Sequence, residues 1–323
     1  MIARVGRRLG WAVGLVLAVL TINFALIHAA PGDPALVIAG EMGGADEAVL
    51  AQIRRTWGLD RPILAQYATY IGRAVQGDLG QSYLYNQPVV DLIVARLPAT
   101  LLLVLSALVS AIVVGTLMGV WASRRPESVG SAVVTVGALV GYSMPVFWTG
   151  ILLVLLFGKL LPVMPIAGMT DVRLYGASWW QHALDVGHHL VLPSFTLAII
   201  YLAQYSRLSR ASMLEVLGSD YIRTARAKGL AERVVVYKHA LRNALMPIVT
   251  IAGLQFGNLI SGAVLVETVF SWPGLGTLAL DAILGRDYPT LLGVLFFSAV
   301  LVVVANLATD AAYRWIDPRL RTR

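Results

Sequence analysis

The chain has 323 residues, 58% of them hydrophobic and only 13% charged, with a mean hydropathy of +0.74 and a formal net charge of +7. That balance excludes a soluble globular domain. The absence of cysteine excludes disulfides, thiolate nucleophiles and cysteine-based metal sites.

The apolar residues gather into six runs, at about 9–30, 97–122, 129–158, 190–206, 244–266 and 290–313. Each approaches the roughly 20 residues that a helix needs to cross about 30 Å of hydrocarbon. An all-α integral membrane protein with six transmembrane helices is therefore expected; a barrel would show alternating segments of about ten residues. The first run follows MIARVGRR, and its apolar part exceeds the roughly 7–15 residues of a secretory signal core, so it reads as a retained anchor, with His28 at its interfacial end. The outer region that follows predicts one amphipathic helix over about 61–76. Ile63, Gln66, Tyr67, Tyr70, Ile71 and Ala74 share a face of it, packed either beneath a docked protein or over the bundle. Four runs carry glycines four apart (Gly10 and Gly14, Gly115 and Gly119, Gly137 and Gly141, Gly253 and Gly257). Such pairs let helices approach closely in lipid. Pro145 and Pro193 free backbone carbonyls and can bend spans three and four. His182, Asp185, His188 and His189 fall in an outer loop ahead of span four; their spacing fits no metalloenzyme motif, so no metal is assigned. The natural division is 1–96 (first span and external region), 97–314 (five-span core with a charged segment at 207–243) and 315–323 (tail).

Most of the lysines and arginines lie in one alternating set of loops: the N-terminus, 123–128, the charged segment and the tail. Basic residues favour the cytoplasmic side, so both termini and the charged segment are expected there. Topology then explains the net charge, and no nucleic-acid partner is needed.

The segment SDYIRTARAKGLAERVVVYKHALRNALMP, residues 219–247, is the anomaly in this apolar chain. Gly218 and Ser219 read as a break followed by an N-cap. Asp220–Lys228 reads as a short helix with its acid first and its bases last, as the helix dipole prefers, and Gly229 as a left-handed C-cap. A second helix follows, with Leu230, Val234, Tyr237 and Leu241 on one apolar face. The segment lies either on anionic headgroups or in a groove of a soluble partner, with small Thr224, Ala225 and Ala227 permitting close approach.

The run Thr224-Ala225-x3-Gly229, followed by a proline entering the next span, resembles the EAA signature of permease subunits in ATP-binding-cassette (ABC) importers, whose short coupling helix touches the ATPase subunit. With PGDP (31–34), FSWPGLG (270–276), RDYP (286–289) and DPR (317–319), the string DYIRTARAKGL...HALRNALMP is similar to the dipeptide/oligopeptide/nickel branch, specifically the first permease of its pair. The similarity runs through essentially the whole chain. Arg223 stands where the wider signature has glutamate, and the stretch from Gly229 to Pro247 is longer than in the general motif. The resemblance implies a type I ABC importer permease architecture in a bacterial inner membrane. It implies as partners a homologous second permease, two ATP-binding subunits and an external solute-binding protein. It also implies ATPase-coupling roles for Asp220, Tyr221, Arg223, Thr224, Ala225, Ala227, Lys228 and Gly229.

No phosphate loop occurs in the chain, so no cofactor is expected here; by the same resemblance ATP and magnesium belong to the partner ATPases. The chain is read as not an enzyme, since no constellation for hydrolysis stands out. An ion-driven secondary transporter or channel is the alternative, but it would need buried titratable groups that the spans scarcely contain. Asp310 with Arg314 one turn on suits a structural ion pair. Neutral Gln204, Tyr205, Gln255 and Asn258 are the side chains expected along a translocation path, which suits a cargo held through its backbone, such as a peptide. The FSWPGLG loop, with Phe270, Trp272, Pro273, Gly274 and Gly276, reads as a fixed turn at the membrane surface, and the resemblance places it at the outer gate. Nickel chelates, opines and sugars are further cargoes that similar permeases carry.

Overall fold

Where no water is at hand, a backbone satisfies its own polar groups by forming helices, and the apolar runs do so throughout. The computed structural model describes residues 2–29, 46–57, 60–174 and 176–316. In order the helices are α1 (Ile2–Ala29), α2 (Glu47–Trp57), α3 (Ile63–Val75), α4 (Val89–Arg124), α5 (Val129–Ser143), α6 (Val146–Leu153), α7 (Trp179–Leu217), α8 (Asp220–Ala227), α9 (Glu232–Val234), α10 (Leu241–Val269), α11 (Leu275–Leu284) and α12 (Tyr288–Ile316). Among the described residues there is no strand, only an isolated bridge between Gln81 and Pro88. PGDP and DPR lie outside the described residues, as do the side chains of Asp310 and Arg314.

Three described helices are long and apolar enough to cross a membrane: Val89–Arg124, Trp179–Leu217 and Tyr288–Leu307. The number rises to five if the bent pairs Val129–Ser143 with Val146–Leu160 and Glu232–Ala252 with Gly257–Val269 each count as one span. The described apolar part of the first helix, Gly10–Leu26, is shorter. The expected six are thus three to five by length and composition. Pro145 accounts for one bend. Met144, just before it, is extended (ψ 133°), as a residue preceding proline prefers, and the two halves meet at 107°. Pro193, by contrast, sits inside α7 without interrupting it.

The chain forms two compact units, Met1–Pro98 with Thr277–Val304, and Ala99–Gly276 with Ala305–Arg323. In the first, α3 lies along α1. The Tyr67 hydroxyl meets Thr21 Oγ1 at 2.7 Å, Phe24 meets Tyr67 edge to face and Tyr70 at a tilt, and His28 Nε2 meets Gln66 Oε1 at 3.2 Å. The amphipathic face therefore covers α1, although Ile63 itself is exposed. Helix α2 was not expected from the sequence. Asp287 is fully buried and stands just before α12. Its carboxylate accepts from Thr290 N–H and Oγ1–H, which caps the helix. The same carboxylate accepts from Ser82 Oγ–H at 2.5 Å and from Tyr83 N–H. Burial and the Asp287 charge together push the Tyr83 hydroxyl far above its usual range.

In the second unit α7 packs against α5, α6 and α10. It also meets α4 at Gly115 and Gly119, where the backbones come close. A Cβ on Gly115 would lie 2.7 Å from Leu202 O, and one on Gly119 would lie 2.4 Å from Ser206 O and 2.8 Å from Arg210 N. Those are backbone atoms, so only glycine lets the two helices come so close. Gly10, Gly14 and Gly137 face open space, whereas a Cβ on Gly141 would lie 3.2 Å from Ile199 Cγ1 of α7, a tight side-chain contact.

Helix α7 begins well before the apolar run that announces it. Gln181 Oε1 accepts from the Ser178 N–H and hydroxyl, a start signal of capping-box type. His182, Asp185, His188 and His189 consequently sit on the first turns of a helix rather than in a loop. His189 is buried and pairs with Asp185 at 3.2 Å; the other Asp185 oxygen accepts from Asp171 N–H. Among the described residues no three metal-ligating side chains converge.

Gly119→Leu is expected to drive α4 from α7 and cost about 1–3 kcal/mol, with Gly137→Leu near neutral. Thermal unfolding of the two purified variants in one detergent checks this.

Candidate functional site: coupling helix, amide ladder and gate turn

Helix α8 is held by a small core made from four other elements. Ile222 and Ala225 are buried against Val120 of α4, Met213 of α7, Val235, Val236 and Ala240, and Ala244 of α10. Ala225 therefore faces the chain's own core and is not available for close approach by a partner. Asp220, Tyr221, Arg223, Thr224, Ala227, Lys228 and Gly229 are exposed. The helix ends as its sequence predicts. Gly229 has φ +75°, Leu230 N–H bonds Ala225 O, and Gly229 N–H bonds Arg226 O, the two reversed bonds of a Schellman cap. At the other end Ser219 occupies the N-cap position without capping; its hydroxyl donates back to Val216 O at 2.5 Å.

The second helix departs from the 3.6-residue pattern. After the single turn of α9 the backbone takes π geometry over Val235–Ala240 before α10 begins. A π turn closes i→i+5 bonds, which inserts an extra residue per turn and rotates every following side chain. Val235, Val236, Ala240 and Ala244 are thus the buried positions, and the expected face is displaced: Leu230, Val234 and Tyr237 are exposed, while Leu241 packs at the edge of the cluster. Arg226 reaches across the cap to Glu232 in a two-pronged pair, Nη2–Oε1 2.8 Å and Nε–Oε2 3.1 Å. Hydrogen bonding to Arg226 lowers the Glu232 carboxyl below its usual range, and the same pairing raises Arg226. The Tyr221 hydroxyl accepts from Asn243 Nδ2 at 2.7 Å.

Of the four residues expected along a path, three are joined. Asn258 Nδ2 donates to Gln255 Oε1 at 3.0 Å, and Gln255 Nε2 donates to Gln204 Oε1 at 2.9 Å, linking α10 to α7. Gln255 is buried and Asn258 exposed. Tyr205 does not belong with them: it is fully buried against Gly115, because the next residue on a helix faces about 100° away.

The FSWPGLG turn is anchored in the protein interior. Phe270 and Trp272 are buried at 1% and 0% exposure, since large apolar rings gain most from leaving the surface, and the indole N–H is satisfied by Ala99 O at 2.9 Å. The turn wraps around a residue that sequence reasoning missed, Glu267. Its fully buried carboxylate accepts from Thr100 Oγ1–H at 2.6 Å and Gly276 N–H at 2.7 Å. Thr100 Oγ1 in turn accepts from Leu275 N–H. Glu267 so caps α11 from a distance, which suits a carboxylate at a helix N-terminus. A Cβ on Gly274 would lie 2.1 Å from this carboxylate, and one on Gly276 2.5 Å from Val264 Cα, so both glycines make room. Pro273, just before Gly274, is half-buried. The signal was an acid in an otherwise apolar span, seven residues before the glycine it packs upon.

The model for "binding-protein-dependent transport system inner membrane component" matches residues 111–322, and its N-terminal companion matches residues 1–104. The chain belongs to that family of membrane permease components. It is 40% identical over 331 residues to the dipeptide transport system permease protein DppB of Escherichia coli K12, covering 98% of this chain and 97% of that protein. It is 40% identical over 322 residues to the oligopeptide transport system permease protein AppB of Bacillus subtilis, covering 99% of each. Among solved structures, an inward-facing MetNI methionine ABC transporter shares the fold at TM-score 0.53 and 19% identity, covering 70% of this chain and 96% of that one.

Two outcomes follow from the geometry. Glu267→Gln is expected to set an amide N–H against a backbone or hydroxyl donor and cost about 1–3 kcal/mol. The Thr100→Val, Glu267→Gln double variant should be clearly non-additive in unfolding measurements. Glu232→Gln should cost less than about 1 kcal/mol near neutral pH, because the pair is exposed. Since the Glu232 pKa is depressed, its contribution is present above the ordinary carboxylate range and is lost as pH falls through the lowered value. The stabilities of wild type and variant should therefore converge in acid.

Proposed function

We propose that this chain is the first of two permease subunits in an ATP-driven importer of di- and oligopeptides. It would cross the inner membrane six times with both termini in the cytoplasm and work beside a homologous second permease. Two ATP-binding subunits would hydrolyse magnesium-bound ATP, and an external solute-binding protein would deliver the cargo. The names of the relatives, dipeptide and oligopeptide permeases, support the cargo.

One observation carries the mechanical part. Helix α8 is anchored on one side by Ile222 and Ala225 in the chain's own core, and its other side is open. That open side offers Asp220, Tyr221, Arg223, Thr224, Ala227 and Lys228, together with the exposed apolar Leu230, Val234 and Tyr237. A helix fixed to several elements at once passes a push from a partner directly to α4, α7 and α10. Residues 207–243 are thus the coupling segment of the 97–314 core. The buried turn 270–276 is assigned to the outer gate, which Glu267 and Thr100 keep shut.

The mixed face of α10 supports a path. Its exposed residues recur at helical spacing, with Thr250, Asn258, Ser261 and Thr268 beside the apolar Met246 and Leu265. The exposed face of α4 is Leu102, Leu105, Val109, Val113, Leu117 and Trp121. Lipid suits the second face; the first suits water or cargo.

Gly229→Val replaces a φ of +75° that β-branched residues resist, although nothing crowds the site. The purified complex should assemble and insert normally, yet its ATP-dependent peptide uptake should fall about ten-fold or more, with Gly229→Asn near wild type because asparagine tolerates this conformation. Full uptake by Gly229→Val, or uptake by this chain alone driven by an ion gradient, would overturn the assignment.

A further inference from the structure

The three joined amides do more than brace α7 against α10. We propose that Asn258, oriented by Gln255 and Gln204, is a reader of the cargo's peptide backbone. This rests on the path assignment above.

A carboxamide has two N–H donors and one oxygen acceptor. Asn258 spends one N–H on Gln255 Oε1, and Gln255 spends one on Gln204 Oε1. The fixed Asn258 amide, on the exposed face of α10, then has an N–H and a C=O side by side. That pair matches the C=O and N–H of one residue in an extended peptide, and it matches every peptide equally because no cargo side chain is involved. Turning all three amides over together reverses the direction of the ladder but still leaves a donor and an acceptor at its exposed end. The ladder also explains why the group is an asparagine rather than a hydroxyl. The exposed threonines of α10 turn back onto their own helix, Thr250 onto Met246 O and Thr268 onto Val264 O, and their hydroxyl hydrogens are not offered outward. Asn258 is instead bonded sideways and keeps its outward capacity. An amide without partners in an apolar span is costly, so this one meets water at rest and a polar cargo in passage. Gln204 and Gln255 are positioning residues, since they act through Asn258.

The test is a cycle between protein and cargo. The complex, co-expressed with the subunits encoded beside it, is reconstituted in vesicles with its solute-binding protein. Uptake is measured for alanyl-alanine and for its analogue methylated at the peptide nitrogen, each at matched occupancy of the binding protein, with wild type and Asn258→Leu. In wild type the N-methyl cargo should move about ten-fold less per ATP hydrolysed, the worth of one neutral hydrogen bond. In Asn258→Leu, which removes both hydrogen bonds, the two cargoes should move at one equal ratio, at or below that of the N-methyl cargo in wild type. Gln204→Leu should give an intermediate loss, and a normal elution profile on size exclusion shows that each variant is assembled. If methylation and the Asn258→Leu change reduce uptake independently, the backbone-reading role is wrong although the importer assignment stands. If the wild-type complex carries no peptide, both fail.

Discussion

The constraint on which the structure depends is that a chain in hydrocarbon has no water to complete its backbone hydrogen bonds. Long helices meet it by themselves. Each departure from helix must be settled by a specific polar group, and those groups mark the interesting places. Glu267 and Thr100 satisfy the first N–H groups of α11 where the chain turns through 270–276. Asp287 does the same for α12 and also gathers the 82–84 backbone. At Gly229 the helix folds its own carbonyls into a reversed pair of bonds. Among the described residues the buried acids Glu267 and Asp287 are thus turn-makers.

The second consequence is mechanical. A short helix has little stability of its own, so α8 owes its existence to the buried cluster beneath it. That cluster draws on α4, α7, the π turn and α10. The close α4–α7 approach at Gly115 and Gly119 makes two of those supports move as one. Force applied to α8 thus has few soft places in which to dissipate. The Arg226–Glu232 pair closes the same segment from the solvent side.

Much of this was legible in the chain. The apolar runs gave the long helices, and the amphipathic helix after the first of them was foreseen within about two residues of Ile63–Val75. The short helix with its left-handed glycine cap was readable because its signals are local: an acid, two bases, a glycine. The phase of the following helix was not readable, because a π turn is a tertiary compromise that no 3.6-residue template anticipates. Glu267 and Asp287 were missed for a related reason. Their partners Thr100 and Ser82 lie 167 and 205 residues away, and a lone acid near a span end looks like a boundary charge.

By itself, then, the sequence determined that the chain is helical, membrane-embedded, lacking a nucleotide loop, and equipped with one basic amphipathic insert, because hydrophobicity, charge and capping act over a few residues. Only the tertiary structure decided which side of α8 is spoken for and that Phe270 and Trp272 are core. Those outcomes depend on contacts between residues distant in the chain, and the energy of such contacts is set when the helices meet.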